Sequence, residues 1–443
     1  MQEITERKKL SSFQIISIGF TGAILLGALL LMLPFSSSSG KVTPFLDALF
    51  TATSATCVTG LIVYDTATYW SGFGQGVILL LIQVGGMGVI TVAALLATIS
   101  GRKISLMQRS TLQEAIAAPK VGGIVRLTKF IVKTTLVIEL AGALIMLPTF
   151  CRDFGARGVW MAVFHSVSAF CNAGFDLMGV RAPFSSLTSY AANPVINVTI
   201  MLLIVIGGIG FLTWDDIRTN KFHLRRYRMQ SKVILSTTAV LIILPAVYFF
   251  FLEFSGLGLR ERVLVSLFQS ITPRTAGFNT VDFNVLSEAG RFIIILLMLI
   301  GGSSGSTAGG MKTNTVAVLF ATAVSTFLHK EHAHFFDRRI DDDVVKNAVT
   351  ILVLYIFLMV FGGITISIID GLPLLDCLFE AASAMGTAGL SVGVTAAAGM
   401  VSRLILIVLM FCGRVGGLTL VFAALSGAKK SIGRCPLEKI TVG

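Results

Sequence analysis

Charge is scarce in this chain. Of its 443 residues only 13% are Asp, Glu, Lys or Arg, against 54% hydrophobic, whereas soluble domains carry about 25% charged residues. The mean hydropathy of +0.86 lies far outside the soluble range. Soluble enzymes, secreted disulfide scaffolds and disordered tails are thereby excluded. Cysteine is scarce as well. The six present show no metal-ligand spacing, and Cys57, Cys171, Cys377 and Cys412 fall in apolar or Gly-rich stretches, which argues against a disulfide framework. No cleavable signal peptide is expected: the first apolar stretch ends at Pro34 without a small-residue cleavage pattern, and many more follow it. The net charge of +12 therefore belongs to loops on the inner side of a membrane, not to a nucleic-acid interface.

Apolar runs of about 20 residues read as spanning helices. Eight are present, over 14–34, 74–100, 128–150, 194–214, 233–254, 291–328, 344–370 and 402–425. Within each consecutive pair lies a segment too short to cross, over 44–56, 158–170, 260–272 and 373–385, which suits a re-entrant helix. With the amino terminus inside, inner segments hold 24 Lys and Arg and outer loops 8, leaving Arg274, Lys312 and Arg414 at membrane depth or in re-entrant turns. That asymmetry puts both termini on the cytoplasmic side.

An internal repeat is visible where the short segments end. The four stretches are Thr56-Cys57-Val58-Thr59-Gly60-Leu61, Phe170-Cys171-Asn172-Ala173-Gly174-Phe175, Pro273-Arg274-Thr275-Ala276-Gly277-Phe278 and Met385-Gly386-Thr387-Ala388-Gly389-Leu390. Their glycines are 114, 103 and 112 residues apart. A second echo follows in each later helix, as Val84-Gly85-Gly86, Ile206-Gly207-Gly208, Ile300-Gly301-Gly302 and Cys412-Gly413-Arg414. Four units are expected, over 1–110, 111–222, 223–335 and 336–443, each an outer helix, a pore helix, an extended turn and an inner helix. The fold class is an all-α polytopic membrane protein: eight transmembrane helices and four re-entrant pore helices with pseudo-fourfold symmetry around one pore.

Such a plan is suited to passing a cation. Backbone at membrane depth must be helical unless it is buried in protein or lines a polar path. Four Gly-bearing turns around an axis can ring it with carbonyl oxygens that replace the hydration shell of a potassium ion. Gly suits places where carbonyls must point inward with unusual dihedrals and no side-chain clash. Each short helix would direct the partial negative charge of its carboxyl end at the ion. No carboxylate ring is needed, and none occurs in the four turns. Outer segments hold a slight acidic excess that would raise local cation concentration.

The sixth span contains ten small residues in a row: Gly301, Gly302, Ser303, Ser304, Gly305, Ser306, Thr307, Ala308, Gly309 and Gly310. Five of the ten are Gly, so a straight helix holds poorly here. The stretch reads as a gating loop interrupting one inner helix, with a Gly-rich packing kink as the alternative. Lys312 follows it and either joins the gate or snorkels to the inner interface. Arg414 sits at the matching depth of the fourth inner helix, where a buried cation is costly and usually functional. It would repel the ion as an internal barrier, or clasp the loop.

Rival readings exist. Gly301 to Gly305 matches a nucleophile elbow, and a membrane serine hydrolase would need a histidine base, for which only His165 lies in a membrane segment. That reading leaves the fourfold repeat unexplained. The segment from Gly305 to Thr313 falls short of a phosphate loop because Met311 intrudes. His329, His332 and His334 lie in a charged inner loop, where solvation is the plainer reading than metal binding. A proton- or sodium-coupled secondary transporter would want membrane-depth carboxylates, and Glu139 is the clear candidate, with Glu380 shallower.

The fourfold plan, the Ala-Thr-Cys-Val-Thr-Gly-Leu and Thr-Pro-Arg-Thr-Ala-Gly-Phe stretches and the short tails resemble the Trk/Ktr/HKT superfamily of potassium transporters, most of all the membrane subunit of Ktr systems. The resemblance covers essentially the whole chain. It implies potassium uptake through a pseudo-fourfold pore, with Gly60, Gly174, Gly277 and Gly389 as filter glycines. In related plant members a serine at the first of these goes with sodium selectivity, so Gly60 favours potassium. The filters depart from the longer tetrameric channel signature. The resemblance further implies a mobile intramembrane loop at Gly301 to Gly310, a basic residue at Arg414, a homodimer in the lipid bilayer, and a cytoplasmic nucleotide-binding regulatory subunit of the KtrA kind. The resemblance makes potassium the expected transported ion. Sodium activation is a family expectation with no residue here to represent it, and no organic cofactor is expected.

Overall fold

The computed structural model describes residues 11–100, 104–118, 120, 122–416 and 438. The two chain ends, on which the expected cytoplasmic termini rest, and the last apolar run beyond Gly416 lie outside the described residues.

The helices follow one order four times. First come α1 (Ser12–Met32), α2 (Phe45–Thr56), the single turn α3 (Thr66–Tyr69), α4 (Gly72–Met87) and α5 (Val89–Ile99), with α6 (Leu106–Ile116) as a connector. Next are α7 (Ile124–Phe154), α8 (Arg157–Phe170), α9 (Pro194–Gly208) and α10 (Phe211–Asn220). The third set is α11 (Met229–Tyr248), α12 (Leu259–Ile271), α13 (Glu288–Leu299) and α14 (Thr313–Phe327). A two-residue hairpin pairs His334–Phe335 with Arg338–Arg339. The last set is α15 (Asp342–Asp370), α16 (Leu374–Gly386), the single turn α17 (Val394–Ala397) and α18 (Met400–Val415).

The outer helices α1, α7, α11 and α15 are the uninterrupted apolar runs, each long and apolar enough to cross a membrane. Ser11 starts α1 with a capping box to Gln14, satisfying amides that would otherwise lack partners. Gly155 (φ 60°) and Gly371 (φ 66°) close α7 and α15 in the left-handed region, which reverses the chain at once into α8 and α16. Leu26, Leu29, Leu140, Leu144, Leu244, Phe357 and Phe361 on these helices are exposed, as suits side chains that meet lipid tails.

The short helices are buried instead. Each carries a fully buried phenylalanine at the matching place, Phe50, Phe164, Phe268 and Phe379. Replacing any of them by Ala would cost about 3–5 kcal/mol of stability.

The inner helices depart from the expected straight spans. The chain bends by 94° between α4 and α5 and by 97° between α9 and α10. The hinges are Gly88 (φ 86°) and Gly210 (φ 92°), and Gly416 at the end of α18 has φ 93°. A left-handed residue cannot continue a right-handed helix, and only Gly adopts it without steric penalty. The loop after α13 is thus the longest of several inner-helix breaks, not the only one. Among the described residues, counting each bent pair as one span gives up to six helices long and apolar enough to cross. The other two expected crossings are α13 and α14, divided by the loop, and α18.

The echo glycines have a packing task. A Cβ at Gly85 would collide with the carbonyl of Thr56, at Gly207 with that of Phe170, and at Gly413 with that of Met385. Three inner helices therefore abut the last turn of their own unit's short helix.

Candidate functional site: the four glycine turns and the loop beneath them

The four turns share one backbone recipe. Val58 (φ 56°), Asn172 (φ 60°), Thr275 (φ 64°) and Thr387 (φ 49°) are left-handed, and two residues later so are Gly60 (φ 98°), Gly174 (φ 70°), Gly277 (φ 78°) and Gly389 (φ 78°). A strand that interleaves left-handed with ordinary residues turns successive carbonyls to the same side instead of alternating them. The residue between is anchored alike in every turn. The amides of Thr59, Ala173, Ala276 and Ala388 donate to the carbonyls of Ser54 (2.8 Å), Ser168 (2.7 Å), Thr272 (3.0 Å) and Ser383 (2.7 Å). Three of these anchors also tie the turn by their hydroxyls. Ser54 Oγ accepts from the Gly60 amide at 3.1 Å, Ser168 Oγ donates to the Phe175 carbonyl at 2.7 Å, and Thr272 Oγ1 donates to that of Phe278.

The turns converge. A Cβ placed on Gly60 would stand 2.6 Å from the carbonyl oxygen of Ala173, and one on Gly174 would stand 2.5 Å from the Cα of Gly277. On Gly277 it would stand 3.1 Å from the Ala388 oxygen, and on Gly389 it would strike the Thr59 oxygen. Glycines about 110 residues apart thus meet in one ring edged by the carbonyls of Thr59, Ala173, Ala276 and Ala388.

On one side of the ring is a cavity of about 510 Å³, lined by the four glycines together with Asp176, Asp282, Asn279 and Ser186. Burial pushes the Asp176 carboxyl up to about 7; Asp65 adds to the rise and the Met178 amide, donating to it at 2.8 Å, opposes it. Other outer acids are engaged elsewhere. Asp47 pairs with Arg403 at 2.6 Å and Asp376 with Arg291 at 2.9 Å.

On the other side lies the stretch from Gly301 to Gly310. It is a closed loop, since a Cβ on Gly310 would stand 3.3 Å from the Cα of Gly301. The Ser303 amide donates to Gly208 (2.9 Å), the Thr307 amide to Gly207 (3.3 Å), and the Gly310 amide to Gly413 (3.2 Å). The Gly305 carbonyl accepts from the Phe211 amide at 2.7 Å. Thr307 Oγ1 reaches the Phe170 carbonyl (3.1 Å) and Asn172 Oδ1 (3.2 Å), and Gly309 lies against the side chain of Thr387. The loop therefore touches the turns at residues ahead of their glycines. Ser304, Ser306 and Ala308 complete it, and Ser306 Oγ donates to the Ser303 carbonyl at 2.7 Å.

Both nearby cations fold onto this loop. Lys312 Nζ donates to the carbonyls of Ala308 (2.7 Å) and Gly309 (3.2 Å), so it does not snorkel to the interface. Arg414 donates to the Thr307 carbonyl and, across the bundle, to those of Gly85 and Gly86, the last at 3.3 Å. It clasps the loop to α4.

The serine–histidine pair of the hydrolase reading does not assemble. His165 Nδ1 lies 2.7 Å from the Met161 carbonyl and its Nε2 accepts from the Leu177 amide at 3.3 Å, while Ser303 pairs with Thr313 at 3.0 Å. Glu139 accepts from Gln83 at 3.2 Å and from the Cys171 thiol at 3.7 Å. Among the described residues no group of three His, Cys, Asp or Glu is placed to hold a metal. The hinge glycines Gly88, Gly210 and Gly416 escaped the sequence reading. Their signal is a further Gly three residues after the first glycine of the echo, absent only where the loop takes over.

The same architecture occurs in the crystal structure of the potassium transporter TrkH from Vibrio parahaemolyticus, with a TM-score of 0.73 over 95% of this chain and 86% of that one at 19% identity. The potassium/sodium uptake protein NtpJ of Enterococcus hirae is 40% identical over 99% of this chain and 98% of its own length. The Ktr system potassium uptake protein B of Bacillus subtilis is 38% identical over 93% and 92%. Because the family model described as "TrkH: Cation transport protein" matches residues 3–431, this multi-pass membrane chain belongs to the TrkH family of cation transport proteins, which are transporters and not enzymes.

Proposed function

We propose that this protein takes up potassium down its electrochemical gradient through a pore on the axis of the four turns. Val58 to Gly60, Asn172 to Gly174, Thr275 to Gly277 and Thr387 to Gly389 form the selectivity filter. The convergence of Gly60, Gly174, Gly277 and Gly389 into one carbonyl-edged ring carries this reading. The four units are the repeats over 1–110, 111–222, 223–335 and 336–443. Gly301 to Gly310, with Lys312, is the gate, and Arg414 is both its clasp and an internal barrier. The chain works as a homodimer with both termini cytoplasmic, under a cytoplasmic nucleotide-binding subunit that acts on the inner ends of the helices. The names of the relatives above support potassium as substrate, and that of the Enterococcus protein makes sodium the ion to test against it. Proton coupling is less well supported, because Glu139 is held on an outer helix by Gln83 and Cys171.

Potassium and sodium flux into liposomes carrying the purified chain tests the proposal. Potassium entry well above sodium entry is expected; no flux of either ion overturns it. In the same assay Arg414→Ala is expected to raise the initial rate about threefold or more, since it removes a fixed positive charge from the path and the loop's bond to α4. An unchanged rate at every potassium concentration would make Arg414 purely structural.

A further inference from the structure

The turn of the third unit contains a charge that its three counterparts lack. Three residues before the ring glycine stand Cys57, Cys171 and Gly386 in the other units, but Arg274 here. Its side chain is 5% exposed. One hydrogen bond is made, from Nη2 to Thr238 Oγ1 on α11 at 3.3 Å, and Nε has no partner. Arg274 belongs to no ion pair among the described residues. The cavity beside it, bordered by Asn172, Ile271, Gly208 and Gly302, measures about 10 Å³. That is room for about one water, too little for chloride or a phosphate. A buried guanidinium without a counter-ion is expensive, and such groups are retained where they act.

Its backbone fixes where the charge acts. The Arg274 amide donates to the carbonyl of Ile271, the last residue of α12, at 3.1 Å. The Arg274 carbonyl faces the Asn172 amide group at 3.5 Å, and Asn172 also reaches Thr275 at 3.4 Å. Arg274 therefore follows the carboxyl end of one short helix, in the turn that forms one quarter of the ring, with its guanidinium buried against α11. There a positive charge opposes the negative end of the helix dipole. The turns of the other three units carry no charged residue of their own.

We propose that Arg274 is an affinity-setting residue that lowers cation occupancy of the ring, opposing the attraction of α12 so that the ion binds weakly enough to leave. This rests on the reading of the ring as a potassium filter. The charge works through space on any monovalent cation, so it sets affinity and throughput more than the choice between potassium and sodium.

The test uses the full chain in liposomes, with wild-type potassium uptake established first. If wild type passes no potassium, the function proposed above fails, independently of Arg274. Given uptake, Arg274→Gln is expected to lower the half-saturating potassium concentration about three- to tenfold and to reduce the maximal rate. Arg274→Lys, which keeps the charge, should stay within about twofold of wild type. Thr238→Asp leaves Arg274 in place and sets a carboxylate against it. This variant should shift half-saturation in the same direction as Arg274→Gln, and it carries the test if the Gln variant does not fold. The potassium-to-sodium preference should change less than half-saturation in every variant. Unchanged half-saturation in both Arg274→Gln and Thr238→Asp overturns the proposal. So does a loss of preference shared equally by Arg274→Gln and Arg274→Lys, the mark of a merely structural role.

Discussion

Gly389→Ser is expected to lower the potassium-over-sodium preference at least about tenfold, equivalent to about 1.4 kcal/mol of discrimination. Two effects combine at this position. A left-handed φ of 78° costs a side-chain-bearing residue about 1–2 kcal/mol. The Cβ would also strike the Thr59 carbonyl oxygen and stand 2.9 Å from the Cα of Gly60, so the first turn must move with the fourth. Carbonyls displaced by a few tenths of an ångström no longer match the hydration shell they replace, and the smaller sodium ion loses its disadvantage. Gly60→Ser acts in the same way through the Ala173 oxygen at 2.6 Å. Uptake of both ions into liposomes, alongside thermal stability to confirm folding, measures the effect. Well-folded variants with the wild-type preference would remove these glycines from the filter.

Deleting Gly302 to Gly309 is expected to raise potassium flux about tenfold and to weaken dependence on the cytoplasmic partner. The deletion is sterically mild, because Gly301 and Gly310 already touch and the Gly301 amide donates to the Met311 carbonyl at 2.8 Å. Rejoining the chain there leaves α13 and α14 in position. What disappears is the material under the ring. In the wild type the amides of Ser303, Thr307 and Gly310, the Thr307 hydroxyl and the Arg414 clasp hold the loop in place. At about 1 kcal/mol each, these bonds make displacement of the loop a matter of a few kcal/mol. On the proposed gating role, that would be small enough for a partner pressing on the inner ends of the helices to supply, and large enough to keep the path closed without it. Flux through wild type and deletion mutant, each with and without the partner, decides. A folded deletion mutant that conducts no faster and still requires the partner contradicts the gate.

Local chemistry made much of this molecule legible in advance. Apolar runs, Gly-bearing turns and the distribution of Lys and Arg are properties of short segments, and the expected short helices at 44–56, 158–170, 260–272 and 373–385 match α2, α8, α12 and α16 to within about one residue. The small-residue run also stood out, since poor helix propensity is intrinsic to Gly and Ser. The bends at Gly88 and Gly210 did not stand out. A glycine inside an apolar run is as compatible with a packed straight helix as with a left-handed hinge, and only the surrounding packing decides between them.

By itself, then, the sequence determined a membrane-embedded helical chain with a repeated turn and one long break, because hydropathy and backbone propensity are local quantities. Tertiary structure alone decided which distant groups meet. The ring glycines, Arg414 with the carbonyls of Thr307 and Gly85, and Asn172 with both Thr307 and Thr275 lie about 100 residues or more apart in the chain. Arg274 shows the difference most plainly. Its charge and its place just after the third short segment were visible, but the absence of a counter-ion among the described residues and its burial against α11 are facts of three-dimensional packing.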